Sequence, residues 1–202
     1  MGRKIMSKRY IKEDIDRFYD YDLSISNREI YIAEIDELMS ERVIKGVKSL
    51  KAGDEVLFTI NSPGGDFYEG MAIYSAIKRY TEEYGGTIMN GTGHVMSMGT
   101  IIFQAAQYRY LDEHCTMMLH YGSAATGGWI HAKDFIQDAK EEQRLSSIME
   151  RIYLKKIKVK HPKFTLKDLR EKMNFNWYLS AKEAVKWGLA DGILGVDDAD
   201  ES

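Results

Sequence analysis

The segment INSPGGDFYEGMAIYSAIK, residues 60–78, decides the fold. It closes the run Glu55 to Ile60 (EVLFTI), which reads as a buried strand. Asn61 to Asp66 (NSPGGD) then forms a loop. Asp66 is placed to cap a helix whose apolar face carries Met71, Ile73, Tyr74, Ile77 and Tyr80. A strand that passes through a glycine turn directly into an amphipathic helix is one βα unit, and the rest of the chain repeats that alternation. On the N-terminal side, Arg28 to Ala33 reads as a short strand. Leu38, Met39, Val43, Ile44, Val47 and Leu50 recur at the three-and-four spacing of one helix face, which Ala52-Gly53-Asp54 ends.

Downstream, Thr87 to Asn90 predicts a strand, followed by the glycine-spaced GTGHVMSMG and a helix through Ile101, Ile102 and Ala105. Strands are expected at Tyr108 to Leu111 and Thr116 to Leu119. Gly122 to Gly128 (GSAATGG) is a loop too short to link two domains. A long amphipathic helix is expected from about Ile130 to Lys156, with Phe135, Ile136, Leu145, Ile148, Met149 and Ile152 on its apolar side and Pro162 beyond its end. Thr165 to Asp168 and Ser180 to Glu183 are capping-box patterns that each open a short helix, the second stopping at Gly188. The fold class is α/β with largely parallel pairing. The expected organisation is an N-terminal arm (1–25), one domain (26–196) and an acidic tail (197–202).

Composition narrows the function. The chain has 202 residues, 44% hydrophobic and 29% charged, with a net charge of −3, which argues against binding nucleic acid by broad phosphate neutralisation. One cysteine, Cys115, excludes an intrachain disulfide and suits a reducing compartment. No apolar run approaches a membrane span, and the basic start lacks the apolar stretch of a secretory signal, so a cytoplasmic protein is expected.

Three places could hold chemistry. Pro63-Gly64-Gly65 frees backbone N–H groups for close approach to a substrate oxygen, or is only a tight strand-to-helix turn. Ser97 stands at a helix start, either as an exposed nucleophile or as an ordinary N-cap; it is not a G-x-S-x-G elbow, because residue 95 is Val. His120, at the end of a strand, is placed as a base or as a hydrogen-bonded structural histidine. His114, Cys115 and His120 do not make a tetrahedral metal set, and no cofactor or metal is assigned.

Taken in order, INSPGGDFYEGMAIYSAIK (60–78), GHVMSMGTIIFQAA (93–106), MMLHYGSA (117–124) and YLSAKEAVKWGLADGIL (178–194) resemble the ClpP family of serine peptidases, over about residues 28–195. The resemblance implies a single-domain ClpP/crotonase-like fold of βα units with a protruding long helix. It implies Ser97 as nucleophile, His120 as general base, and Gly65 and Met98 as backbone donors to an oxyanion. Asn176 stands three residues before Leu179-Ser180-Ala181, where the family carries the triad aspartate. Asparagine can accept the imidazole N–H but cannot stabilise the imidazolium with a charge, and in a trypsin-type triad Asp-to-Asn costs about 10⁴ in turnover. Three readings stay open: a slower Ser-His-Asn peptidase, a triad completed by another carboxylate such as Asp168 or Asp191, or an inactive scaffold.

The resemblance further implies polypeptide substrates, homo-oligomeric stacked rings joined through the long helix, and a hexameric AAA+ unfoldase as partner. This chain has no nucleotide-binding G-x-x-x-x-G-K-[ST] pattern of its own. Residues 1–25 do not follow the family's N-terminal pattern. Two other classes share these features: a crotonase-type acyl-CoA enzyme, and a non-catalytic ring subunit alone or beside an active paralogue.

Overall fold

The computed structural model describes residues 27–50, 53, 55–122 and 132–195. The expected N-terminal arm, the acidic tail and all but the first residue of the Gly122–Gly128 loop lie outside the described residues. Within them the order is β1 (Glu29–Ile32), α1 (Glu37–Ser49), β2 (Val56–Ser62), α2 (Phe67–Tyr84), β3 (Thr87–Met96), α3 (Met98–Phe103) and β4 (Tyr108–Leu111). It continues with β5 (Thr116–Leu119), α4 (Ala132–Lys160), α5 (Leu166–Met173), β6 (Trp177–Ser180), α6 (Ala181–Lys186) and β7 (Gly192–Ile193).

Strands β1, β2, β3, β4 and β7 lie side by side in that order, all parallel. Alternation drives the packing: in β2, Val56, Phe58, Ile60 and Ser62 are buried while the residues between them are half-buried. In α1, Val43 and Val47 turn inward; in α2, Gly70, Ile73, Ile77 and Tyr80 do so at helical spacing. Each fully buried Ile or Phe contributes about 1.5–3 kcal/mol. The caps follow the sequence reading. The Asp66 carboxylate accepts the Tyr68 and Glu69 N–H groups at 2.8 and 2.9 Å, and both capping boxes, Thr165 with Asp168 and Ser180 with Glu183, are formed.

Strand β3 departs from expectation. It runs on to Met96 through the glycines that look like a loop, and it forks. Its first half pairs with β4 (Ile88↔Tyr108 to Gly91↔Leu111), and its second half pairs with β5 (His94↔Thr116 to Met96↔Met118). The register against β2 slips between Ile60 and Ser62, and Gly93 takes φ +61 beside the Asn61 side chain. Beyond the shift the end of β3 stays paired with β2 at Ser62↔Val95 while β5 replaces β4 on its other edge. β6 then adds antiparallel to β5.

Helix α4 reaches Lys160, four residues past the expected end, and its two halves differ. Leu145, Met149, Tyr153 and Ile157 are buried in the core, whereas Phe135 and Ile136 are 58% and 56% exposed. Among the described residues, Phe135 and Ile136 in the first turns therefore do not find the packing that an apolar stripe would normally find.

Candidate active site

The turn from β3 into α3 places Ser97 at φ 51, ψ −126, a conformation rare for a residue with a Cβ. Such backbone costs on the order of 1–3 kcal/mol and persists only where its surroundings enforce it. Here they do. The Ser97 N–H donates to the Met118 carbonyl at 2.9 Å, and the Ser97 carbonyl accepts from the Thr100 N–H at 3.0 Å and the Thr100 hydroxyl at 2.6 Å. Thr100 is in turn 2.5 Å from the hydroxyl of fully buried Tyr153 on α4. All six residues of α3 are buried, so the turn is anchored in the core.

The Ser97 hydroxyl makes no N-cap bond, which removes the ordinary capping reading. It lies 2.8 Å from His120 Nε2 instead, across 23 residues of sequence. The pairing of β3 with β5 brings the two together, since Met96 lies opposite Met118 and each side chain follows just beyond its strand end. Burial holds the His120 imidazole below its ordinary pKa, favouring the neutral ring that can accept a proton.

Across from this pair runs the Gly64-Gly65 turn. A Cβ on Gly64 would stand 2.5 Å from Ser97 Cβ, and one on Gly65, at φ +146, would stand 2.1 Å from the Ile35 carbonyl oxygen. The Ile35 N–H donates to the Gly64 carbonyl at 2.9 Å, and the Asp66 N–H donates to the Ile35 carbonyl at 2.8 Å. In such a parallel bridge the Gly65 N–H faces away from Ile35, and Gly65 lines the cleft beside Ser97 and His120. The Met98 N–H, at the first position of α3, has no acceptor within its own helix. The cleft has a volume of about 340 Å³, with Phe67, Glu142, Leu145 and Met149 among its walls.

Asn176 stands differently. The β5–β6 ladder ends at Leu119↔Trp177, so one step further sets residue 176 opposite His120. The Asn176 side chain is nonetheless exposed, and among the described residues no hydrogen bond joins it to His120. The two alternative carboxylates are committed elsewhere. Asp168 caps α5 through Thr165 at 2.7 Å. Asp191 pairs with buried Arg109 through contacts of 2.5 and 3.0 Å.

A part-buried network that joins Glu150 to Tyr121, next along the chain from His120, had no signal in the sequence. The Tyr121 hydroxyl donates to Glu150 at 2.7 Å, and Arg170 of α5 grips the same carboxylate at 2.8 and 3.0 Å. The Arg170 guanidinium holds Glu150 below the usual carboxylate range, while burial and the bond to Glu150 push Tyr121 up to about 12. The network ties the segment after His120 to α4 and α5. Among the described residues no cluster of His, Cys, Asp and Glu could hold a metal ion, and no helix is long and apolar enough to cross a membrane.

Comparison with known proteins gives concordant findings. The family model described as Clp protease matches residues 12–197, reaching into the segment read as an arm. The chain is 29% identical over 186 residues to the ATP-dependent Clp protease proteolytic subunit of Deinococcus radiodurans, covering 89% of this chain and 86% of that protein. It is 25% identical over 195 residues to the protein of the same name from Mesostigma viride, covering 94% and 82%. A solved structure of an asparagine-to-aspartate mutant of ClpP1 from Listeria monocytogenes superposes with a TM-score of 0.73 at 24% identity, covering 88% of this chain and 96% of that one; that likeness speaks to the fold.

Proposed function

The chain belongs to the Clp protease family, and from that premise we propose that it is a serine endopeptidase that cleaves unfolded polypeptides inside an oligomeric chamber. The observation that carries the proposal is the 2.8 Å contact between His120 Nε2 and a Ser97 hydroxyl held on a strained turn. In the proposed reaction Ser97 Oγ attacks the peptide carbonyl carbon as His120 takes its proton. The Gly65 and Met98 N–H groups receive the developing oxyanion, an interaction that is stronger in the transition state than in the ground state. The C–N bond then breaks, His120 returns the proton to the leaving amine, and water hydrolyses the acyl-enzyme by the same steps.

Asn176 is the orienting group in this reading. For Nε2 to accept the serine proton, the imidazole must carry its own proton on Nδ1, and the Asn176 side-chain oxygen is the acceptor that rotation about its side chain would supply. The exposed Phe135 and Ile136 on α4 support a contact between stacked rings of identical chains. A hexameric AAA+ unfoldase would deliver substrates. A second reading, a catalytically weak or inactive ring subunit, is favoured by one observation: the Asn176 side chain makes no bond to His120.

The test is degradation of a fluorescently labelled unfolded polypeptide by the purified, assembled protein, with and without a Clp-type ATPase. Cleavage that disappears in Ser97→Ala and His120→Ala supports the peptidase. Assembled rings that never cleave favour the second reading.

A further inference from the structure

The wall that α4 presents to the cleft is formed by Glu142, Leu145, Ser146 and Met149, residues at the i, i+3, i+4 and i+7 positions of one helix face. Leu145 and Met149 are buried and, with Phe67, make an apolar surface beside Ser97 and His120. Glu142 has a different character from its acidic neighbours. Glu141 is bound by Arg144 at 2.7 and 2.6 Å and by the Tyr68 hydroxyl at 2.9 Å, and Glu150 is bound by Arg170 and Tyr121. Glu142 has neither a hydrogen bond nor an ion pair among the described residues, although it lines the cleft. One of its carboxylate oxygens stands 3.4 Å from where a Cβ on Gly122 would be, beside the segment that carries His120. The other acidic residue at the cleft, Asp66, has its carboxylate occupied by the start of α2, and no lysine or arginine lines the cleft among the described residues.

An apolar wall beside an unpartnered carboxylate matches a side chain with an alkyl stem and a cationic head. We propose that Glu142 sets specificity, selecting polypeptides with lysine or arginine next to the bond that Ser97 attacks. This rests on the peptidase reading, and it goes beyond it by naming the substrate side chain. The alkyl stem would lie along Leu145, Met149 and Phe67 while the ammonium or guanidinium meets Glu142. An acidic side chain at the same place would face Glu142 and Asp66 with no cation to compensate.

Three fluorogenic peptides that differ only in the residue preceding the cleaved bond (Lys, Leu or Glu) test this on the assembled protein. The ratio of kcat/KM for Lys over Leu is expected to fall about tenfold in Glu142→Gln, the order of one charge-assisted contact at a half-exposed site, and to be partly restored in Glu142→Asp. Glu142→Lys should turn preference toward the Glu peptide. The same peptides titrated by calorimetry into Ser97→Ala measure selection without catalysis, and the Lys peptide should bind about tenfold more tightly than the Leu peptide. A Lys-to-Leu ratio that is equal in wild type and Glu142→Gln, or Ser97→Ala protein that shows no preference or no binding, overturns the proposal. Selective binding by a protein that hydrolyses nothing would keep the specificity assignment and defeat the peptidase reading, so the two failures are distinct.

Discussion

Replacing Asn176 by aspartate changes one atom class beside His120 and asks whether that position is coupled to the reacting pair. The β5–β6 ladder pairs Thr116 with Ser180, Met117 with Leu179, Met118 with Tyr178 and Leu119 with Trp177. The next opposed positions are His120 and Asn176, whose Cβ atoms in such a ladder lie about 4.5–5.5 Å apart. At that range an aspartate carboxylate and an imidazolium attract by about 3–4 kcal/mol at an effective dielectric of about 20. Both groups reach solvent, and screening of exposed pairs reduces this to roughly 1.4 kcal/mol, or about one pH unit.

The assay is the second-order rate at which a fluorophosphonate modifies Ser97, followed by intact mass from pH 5 to 9. In the wild type the rate should fall with acid through a midpoint below the ordinary histidine value, because burial is the cause that moves His120 and protonated imidazole cannot accept the serine proton. In Asn176→Asp the midpoint should rise by about one pH unit. The plateau rate should rise at least about tenfold, with about 10⁴ as the upper bound set by the reverse change in a trypsin-type triad. An unchanged midpoint and plateau in a folded, assembled variant would refute the coupling.

Gly65→Ala forces a Cβ to within 2.1 Å of the Ile35 carbonyl oxygen and must displace the Gly65 amide; the labelling rate of Ser97 should fall on the order of 10²-fold, with a lowered melting temperature. Asp191→Asn removes the carboxylate from buried Arg109 and should cost roughly 2–3 kcal/mol in denaturant unfolding, yet leave Ser97 labelling per folded molecule intact, because Asp191 serves Arg109 and not His120. Asp168→Asn should likewise spare the labelling, and a collapse of labelling in either variant would return that carboxylate to the site. If the chain forms the proposed stacked rings, Phe135→Glu together with Ile136→Glu should shift them to smaller species in light scattering while the folded chain keeps its circular dichroism, since both side chains are more than half exposed.

The βα units were readable because periodicity is local: β2 alternates, α1 and α2 repeat at three and four, and the caps at Asp66, Thr165 and Ser180 sit where their side chains reach the first turn. The second half of β3 was hidden because Gly91 and Gly93 look like loop. Yet a Cβ on Gly91 would sit 2.5 Å from the Leu111 side chain and 2.7 Å from that of Val95, so the glycine leaves room for buried side chains rather than marking a loop. β6 is only four residues long, too short for its alternation about buried Leu179 to stand out, and its existence depends on β5, some sixty residues earlier.

The candidate site divides in the same way. Ser97, His120 and the glycine turn were legible as motifs in order, but their contact is created by strand pairing over 23 residues. The bond of Tyr153 to Thr100, across 53 residues, which backs the Ser97 turn, and the support of Tyr121 by Glu150 and Arg170 could not be read from spacing, nor could the lack of a partner at Glu142. Asn176 was found through its distance from Leu179-Ser180-Ala181; its exposed side chain is a fact of the structure alone.

The most direct measurement is the intact mass of the purified protein, sized for ring assembly, after fluorophosphonate treatment, for wild type and Ser97→Ala side by side. Activation of Ser97 by His120 predicts a single adduct in the wild type and none in the variant. Assembled rings that stay unmodified, or an adduct that persists in Ser97→Ala, would contradict it.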